Sequence, residues 1–185
     1  MALQKWQIKK SKYLVRDQWV TFRADTCVTA KGLMVDPYYV LEEADWAHVV
    51  AFDDQDRILI LRQYRHGSGT ICAELPGGAI NEADTSPLAA AQRELKEETG
   101  CIAEKFELLG SAFANPGRQN NRVFSYIAYH AKQVTEPKLD ETEEIEFEFL
   151  TLHELFQLID SGEFSQSLHI SSVFMALRKR GMLNL

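Results

Sequence analysis

The sequence predicts an α/β fold, a sandwich built on a mixed sheet and preceded by an N-terminal antiparallel β-sheet. Three observations carry this. The first 41 residues are rich in aromatic and β-branched residues with no helical period. From Trp46 to Leu150, short apolar runs alternate with turn residues. One strongly capped helix stands mid-chain and two amphipathic segments close it, so helices flank strands.

The elements follow in order. Trp6 to Val15, Trp19 to Val28 and Leu33 to Leu41 read as strands, the last two joined by a turn at Thr29-Ala30-Lys31-Gly32. Glu42-Glu43-Ala44-Asp45 breaks the pattern. It divides a sheet domain, 1–41, from a main domain, 42–185. Trp46 to Phe52 and Arg57 to Tyr64 are expected to form a hairpin around Asp53-Asp54-Gln55-Asp56. Ile58-Leu59-Ile60-Leu61 has no polar alternation, which suits a strand buried on both faces. Ile71 to Glu74 is a short strand that Pro76-Gly77-Gly78 should end.

Ser86 to Thr99 is the clearest helix, with Ser86 as N-cap, Pro87 at its first position and Gly100 as a left-handed stop. Strands are expected again near Phe106 to Phe113, Arg122 to Ala131 and Ile145 to Leu150. Helices follow near Leu152 to Ser161 and Ser167 to Arg180, the last with Ile170, Val173, Phe174 and Leu177 on one face.

Composition narrows the function. The chain has 185 residues, the scale of one compact domain. A formal charge of -7 argues against nucleic acid as partner, because phosphate contacts call for a basic face. A small anionic substrate remains compatible through a bridging divalent cation. Cys27, Cys72 and Cys101 are scattered and odd in number, which points to reduced thiols in the cytoplasm. No secretory signal is legible, and no apolar run reaches the roughly 18 residues of a membrane span.

The chemistry lies in Arg93-Glu94-Leu95-Lys96-Glu97-Glu98-Thr99-Gly100. On a helix, residues three and four apart are neighbours, so Glu94, Glu97 and Glu98 converge while Leu88, Ala91 and Leu95 form an apolar stripe. Like charges at that spacing repel. The cluster is either a solvated acidic face or a site whose cation neutralises it, and oxygen ligands would favour Mg2+ or Mn2+. Arg93, four residues before Glu97, can hold the carboxylates in place.

These residues resemble the box of the Nudix hydrolase family, which runs glycine, five residues, glutamate, seven residues, Arg-Glu-aliphatic-x-Glu-Glu-x-Gly-aliphatic. Here Gly78 is followed after five residues by Asp84, and after eight more by Arg93 to Cys101. Asp84 replaces glutamate, the second spacer is one residue longer, and Cys101 replaces a larger apolar residue. Glu82 competes with Asp84 for the first acidic position.

The resemblance implies a Nudix-type α/β/α sandwich hydrolysing a nucleotide anhydride with Mg2+ or Mn2+. It makes Glu94 and Glu98 principal metal ligands, with Glu97 close by and a backbone carbonyl at Gly77. In the sugar-pyrophosphatase branch an acidic loop supplies the base and another ligand. Within Asp140-Glu141-Thr142-Glu143-Glu144 that implies Glu141 as base and Glu143 as ligand, with Glu144 competing. Arg65, in a Gln-aromatic-Arg run, becomes a phosphate contact, against the alternative of an ion pair with Glu74. Pro116, fifteen residues after Cys101, resembles the ADP-ribose pyrophosphatase branch, and Arg118 in the same polar loop becomes a substrate contact. Related enzymes dimerise through an N-terminal sheet and stack the base on its aromatics, which suggests Trp19 and Tyr38. The expected activity is cleavage of ADP-ribose or a related nucleoside diphosphate sugar by a cytoplasmic homodimer. A GDP-sugar or dinucleoside polyphosphate is the alternative substrate, and a non-catalytic nucleotide sensor the rival from another class.

Overall fold

The structure, a computed structural model, describes residues 3–183. The chain forms two compact units. One takes the chain up to Ala44 together with Phe113–Arg122, and the other Asp45–Ala112 with Val123 onward.

The first unit holds an antiparallel sheet of β1 (Gln7–Arg16), β2 (Thr21–Val28) and β3 (Met34–Glu42), in that order. Asp17 closes the β1–β2 turn by accepting the amides of Trp19 and Val20. The segment 113–122 joins this unit: Leu41 donates its amide to Arg118 O at 2.8 Å, and Tyr38 Oη donates to Gly117 O at 2.6 Å. Every residue of β1 is exposed, including Ile8, Tyr13, Leu14 and Val15.

The second unit contains β4 (Trp46–Ala51), β5 (Ile58–Arg65), β6 (Thr70–Glu74), β7 (Gly77–Ala79), α1 (Pro87–Thr99), β8 (Cys101–Ile102), β9 (Lys105–Phe113), β10 (Arg122–Tyr129), β11 (Lys132–Gln133), β12 (Ile145–Leu150), α2 (Leu152–Ser161) and α3 (Ser167–Lys179). Two sheets dominate, ordered β7-β4-β10-β9 and β12-β5-β6, with β8 and β11 as a small ribbon. β4 runs parallel to β10, and the other registered pairs are antiparallel.

Alternate residues of β4 and β5 enter two separate cores. Val50, Ile58 and Ile60 pack with Leu155 of α2 and with Val173 and Leu177 of α3. Val49, Leu59 and Leu61 pack with Ala91 and Leu95 of α1. This is why Ile58 to Leu61 lacks polar alternation: both faces are covered, by α1 on one side and α2 and α3 on the other. Fully burying each such side chain stabilises by about 1.5–3 kcal/mol.

Two expectations are corrected. β4 and β5 are not a hairpin, since only the isolated bridge Phe52↔Ile58 joins them and each belongs to a different sheet. Asp53 merely redirects the chain, accepting the amides of Gln55 and Arg57. The short strand β6 ends at Glu74, before Pro76-Gly77-Gly78, as expected; Gly77 and Gly78 then form β7 in the other sheet, against β4, where a Cβ on Gly77 would clash with Ala47 and His48. On α3, Val173 and Leu177 are buried, but Phe174 is 42% exposed and meets Phe156 at 6.0 Å. No helix among the described residues is long and apolar enough to cross a membrane.

Candidate active site

Helix α1 is positioned by its ends. Ser86 Oγ accepts the Ala89 amide at 3.1 Å, and Gly100 closes the helix at φ 68° with its amide on Lys96 O. Ala91 and Leu95 are buried, and Glu94 and Glu98, each three residues further on, flank that stripe and face β7. Gly77 donates its amide to Glu98 Oε2 at 2.8 Å. A Cβ on Gly78 would meet the Glu94 carboxylate at 2.5 Å, so glycine is what lets that carboxylate lie against the strand.

Both carboxyls line a cavity of about 450 Å³ in the second unit, together with Glu143, Arg65, Glu74 and His169. Burial raises the pKa of Glu98 well above the usual carboxylate range; the Gly77 amide opposes this, and the charges of Glu94 and Glu143 add to it. Burial also raises Glu94, against the lowering effect of Arg93, with Glu97 and Glu143 adding to the rise. Three acidic groups thus repel one another around a space that excludes much of their water, a balance that a divalent cation would reverse.

Among the described residues no three His, Cys, Asp or Glu side chains converge as a ready-made ion cage. The donor set still fits a hard divalent ion, because magnesium keeps several waters and needs only one or two carboxylates directly. Arg93 Nη1 holds Glu94 Oε1 at 2.9 Å and Glu97 Oε2 at 2.8 Å, so the guanidinium occupies one oxygen of the candidate ligand Glu94. Glu97 itself is 44% exposed at its side chain.

Arg93 is in turn gripped by Asp84. Its Nε and Nη2 each reach one Asp84 oxygen at 3.0 Å, and Nη2 also donates to Ala79 O. Of the two acids weighed for the first acidic position, Asp84 is the one that meets Arg93, while Glu82 is exposed. The turn before the helix is held by the Asn81 amide, which donates to Asp84 Oδ2 at 3.0 Å. The Arg93 fork holds the Asp84 carboxyl below its ordinary pKa.

The acidic loop divides its members. Glu143 lines the cavity, and its Oε2 accepts the Asp140 amide at 3.0 Å. Glu141 is exposed in the turn. Glu144 lines a different cavity with Arg62, Gln63 and Tyr64. Arg65 forms the ion pair considered for it, Nη2 to Glu74 Oε2 at 2.5 Å, and it also lines the main cavity.

In the first unit a smaller cavity of about 360 Å³ is lined by Phe22, Tyr39, Leu41, Asn115, Arg118 and Gln119. Phe22 and Tyr39 stack at 5.4 Å. Arg118 is thus brought to an aromatic pair. Tyr38 instead meets Trp6 edge-on at 5.9 Å, Trp19 is 83% exposed in the β1–β2 turn, and Pro116 lies exposed in its own turn.

Sequence reasoning missed the polar wall beneath the main cavity. His48 Nε2 lies 2.7 Å from Ser172 Oγ and 2.9 Å from Ser125 Oγ, all three buried. Burial pushes the His48 imidazole down to about 4. A lone histidine inside the apolar run Trp46 to Phe52 was the available signal. Ser125, His169 and Ser172 left none, since they meet it only through the fold.

Residues 44–168 match the NUDIX domain family, and residues 6–41 match the nucleoside diphosphate sugar hydrolase N-terminal domain. An ADP-ribose pyrophosphatase of Mycobacterium tuberculosis is 30% identical over 135 residues, 72% of this chain and 65% of that protein. An ADP-ribose pyrophosphatase of Bacillus subtilis is 30% identical over 116 residues, 62% of each chain. The chain thus spans less than two thirds of the length of these relatives. A solved structure described as an ADP compounds hydrolase superposes with a TM-score of 0.84 at 22% identity, covering 99% of this chain and 100% of that one, a likeness of fold.

Proposed function

This chain belongs to the NUDIX domain family, and from that premise we propose that it hydrolyses the pyrophosphate bond of ADP-ribose or a related nucleoside diphosphate sugar. The products are a nucleoside monophosphate and a sugar phosphate. The observation that carries the reading is the pair of half-buried Glu94 and buried Glu98, set against Gly78 and Gly77 and lining with Glu143 a cavity of nucleotide-binding size. The matched N-terminal family, described as that of nucleoside diphosphate sugar hydrolases, and the ADP-ribose pyrophosphatases among the relatives support the substrate class.

In this reading Glu94, Glu98 and Glu143, with the Gly77 carbonyl, hold a divalent ion, Mg2+ or Mn2+. Such an ion supplies neutralisation of phosphate oxygens and acidification of a bound water. Arg93 and Glu97 set the position of Glu94. Arg65 bonds Glu74 through Nε and Nη2, which leaves Nη1 for a phosphate oxygen. Glu141 is the proposed base, on the turn that carries Glu143. Arg118, beside Phe22 and Tyr39, is the proposed contact for the rest of the nucleotide, with Trp19, Tyr38 and Pro116 as the further candidates from the N-terminal sheet and its neighbouring loop.

The domain of residues 1–41 serves dimerisation and the domain of 42–185 the chemistry. The support for a homodimer is the exposed apolar surface of β1, with Ile8, Tyr13, Leu14 and Val15 left to water. The three free thiols, Cys27, Cys72 and Cys101, fit work in the reducing cytoplasm. The test is a screen of nucleotide sugars with and without magnesium, read by chromatography of the nucleoside monophosphate. Magnesium-dependent release is the expected result; no release from any nucleotide sugar would overturn the reading.

A further inference from the structure

His169 stands at the third helical position of α3, after the cap Gln166, and one residue beyond the end of the NUDIX match. It is 7% exposed, and it lines the main cavity beside Arg65, Glu98 and Gln166.

Its proton is placed by a neighbour. The Leu75 amide donates to His169 Nδ1 at 3.2 Å. An amide N–H can only donate, so Nδ1 is bare and the neutral ring carries its proton on Nε2. The ring meets His48 edge-on at 4.8 Å and Phe164 at 6.3 Å, contacts that fix its plane. Burial holds the imidazole well below its ordinary pKa, and the nearby His48 and Arg65 add to this. The positive end of α3 acts in the same direction.

No partner for Nε2 exists among the described residues. The buried side-chain atoms left without one are Asn121 Oδ1 and Arg180 Nη1. The Nε2–H of His169 is therefore not sealed inside the protein; it opens onto the cavity that the ring lines.

We propose that His169 is a substrate-contacting residue whose Nε2–H donates to a non-bridging phosphate oxygen of the bound diphosphate, beside Arg65. This rests on the reading of the cavity as a nucleoside diphosphate sugar site. A neutral, fixed donor has a physical advantage there. It stabilises charge developing on the phosphoryl oxygen without adding a cation that would compete with the metal for Glu98. The Leu75 bond also ties α3 to the strand end that leads into Pro76-Gly77-Gly78, so the donor and the Glu98-bound glycine are held by one stretch of backbone.

Two substitutions separate contact from structure. His169→Asn keeps an acceptor for the Leu75 amide but cannot reach the Nε2 position. His169→Gln reaches that position with an NH2 donor but abandons Leu75. A substrate contact predicts that His169→Asn folds stably yet loses about tenfold to a hundredfold in kcat/KM on a nucleotide sugar the parent cleaves, while His169→Gln is less stable yet more active than His169→Asn. The reverse order of activities would assign His169 a structural role and overturn the proposal. A readout independent of turnover is 15N NMR of histidine-labelled protein titrated with inorganic pyrophosphate and magnesium. The Nε2–H resonance of His169 should shift while Nδ1 keeps its unprotonated signature, and no shift at any pyrophosphate concentration would overturn the proposal. If the parent cleaves no nucleotide sugar, the substrate reading fails, and the NMR titration still decides the role of His169.

Discussion

Gly77 donates its backbone amide to the Glu98 carboxylate at 2.8 Å, a bond that spans 21 residues and joins strand β7 to the last turn of helix α1. The bond orients a carboxyl whose pKa burial pushes up, and it opposes part of that rise. It also brings the close-packed glycine strand and the acidic helix to one wall of the cavity.

The metal-free protein should gain from losing this acid. A carboxyl with a raised folded pKa binds its proton when the unfolded chain has already released it, so its contribution to stability falls as pH rises above about 4.5. At pH 7, Glu98→Gln should therefore raise the metal-free melting temperature, by about 2–4 °C for each kcal/mol recovered. It should also lower turnover by orders of magnitude and abolish most of the stabilisation that magnesium gives the parent. A variant that melts and turns over like the parent would remove Glu98 from the metal site.

Glu141→Gln and Glu143→Gln should fail differently. Loss of a base costs about 10²–10⁴-fold in rate and is partly recovered at higher pH, with metal affinity little changed. Loss of a ligand weakens metal binding, so added magnesium restores part of the rate. Magnesium titrations and pH profiles of the two variants should separate them. A pH-rescued defect in Glu144→Gln with a silent Glu141→Gln would move the base to Glu144.

Arg93→Lys should be poorly tolerated. Lysine cannot make the two parallel bonds to Asp84 and also reach Glu94, Glu97 and Ala79 O. It leaves the Asp84 carboxylate, 5% exposed, imperfectly paired. A loss of about 2–3 kcal/mol in urea unfolding is expected, the low side of breaking a buried pair because Arg93 is partly exposed. Equal stability of variant and parent would show that the fork is dispensable.

His48 makes acid stability testable. Its folded pKa of about 4 lies below the ordinary 6.5, so the unfolded chain binds the proton first as pH falls. Its stabilisation is full above about 6.5 and is lost between there and about 4. Relative to His48→Asn, which does not titrate, the parent should lose on the order of 2–3 kcal/mol of its advantage between pH 7 and pH 4. A constant difference across that range would mean that His48 titrates alike in both states.

Light scattering should give about twice the 21.1 kDa chain mass. Deleting residues 1–41 should abolish both the dimer and turnover. The milder Leu14→Glu, on the exposed strand β1, should shift the protein toward monomer without unfolding it. A fully active monomer after the truncation would separate the sheet from the site.

What the sequence by itself determined was local. Ser86, Pro87 and Gly100 bound α1 because caps act on adjacent backbone, and the spacing of Glu94, Glu97 and Glu98 set one helical face. The unbroken Ile58 to Leu61 announced a strand covered on both sides. What only the tertiary structure decided was which distant groups meet. β4 and β5 look like a hairpin in sequence, yet each pairs with a strand far along the chain, β10 and β12. Asp84 rather than Glu82 reaches Arg93, a choice that motif spacing left open. Of three nearly equivalent glutamates in one acidic turn, only Glu143 lines the main cavity, since a one-residue step on a turn re-aims a side chain completely. His169 and Leu75 are 94 residues apart, and the proton on Nε2 follows from their contact alone. Such pairings depend on how covered sheets and helices pack in three dimensions, which no window of neighbouring residues encodes.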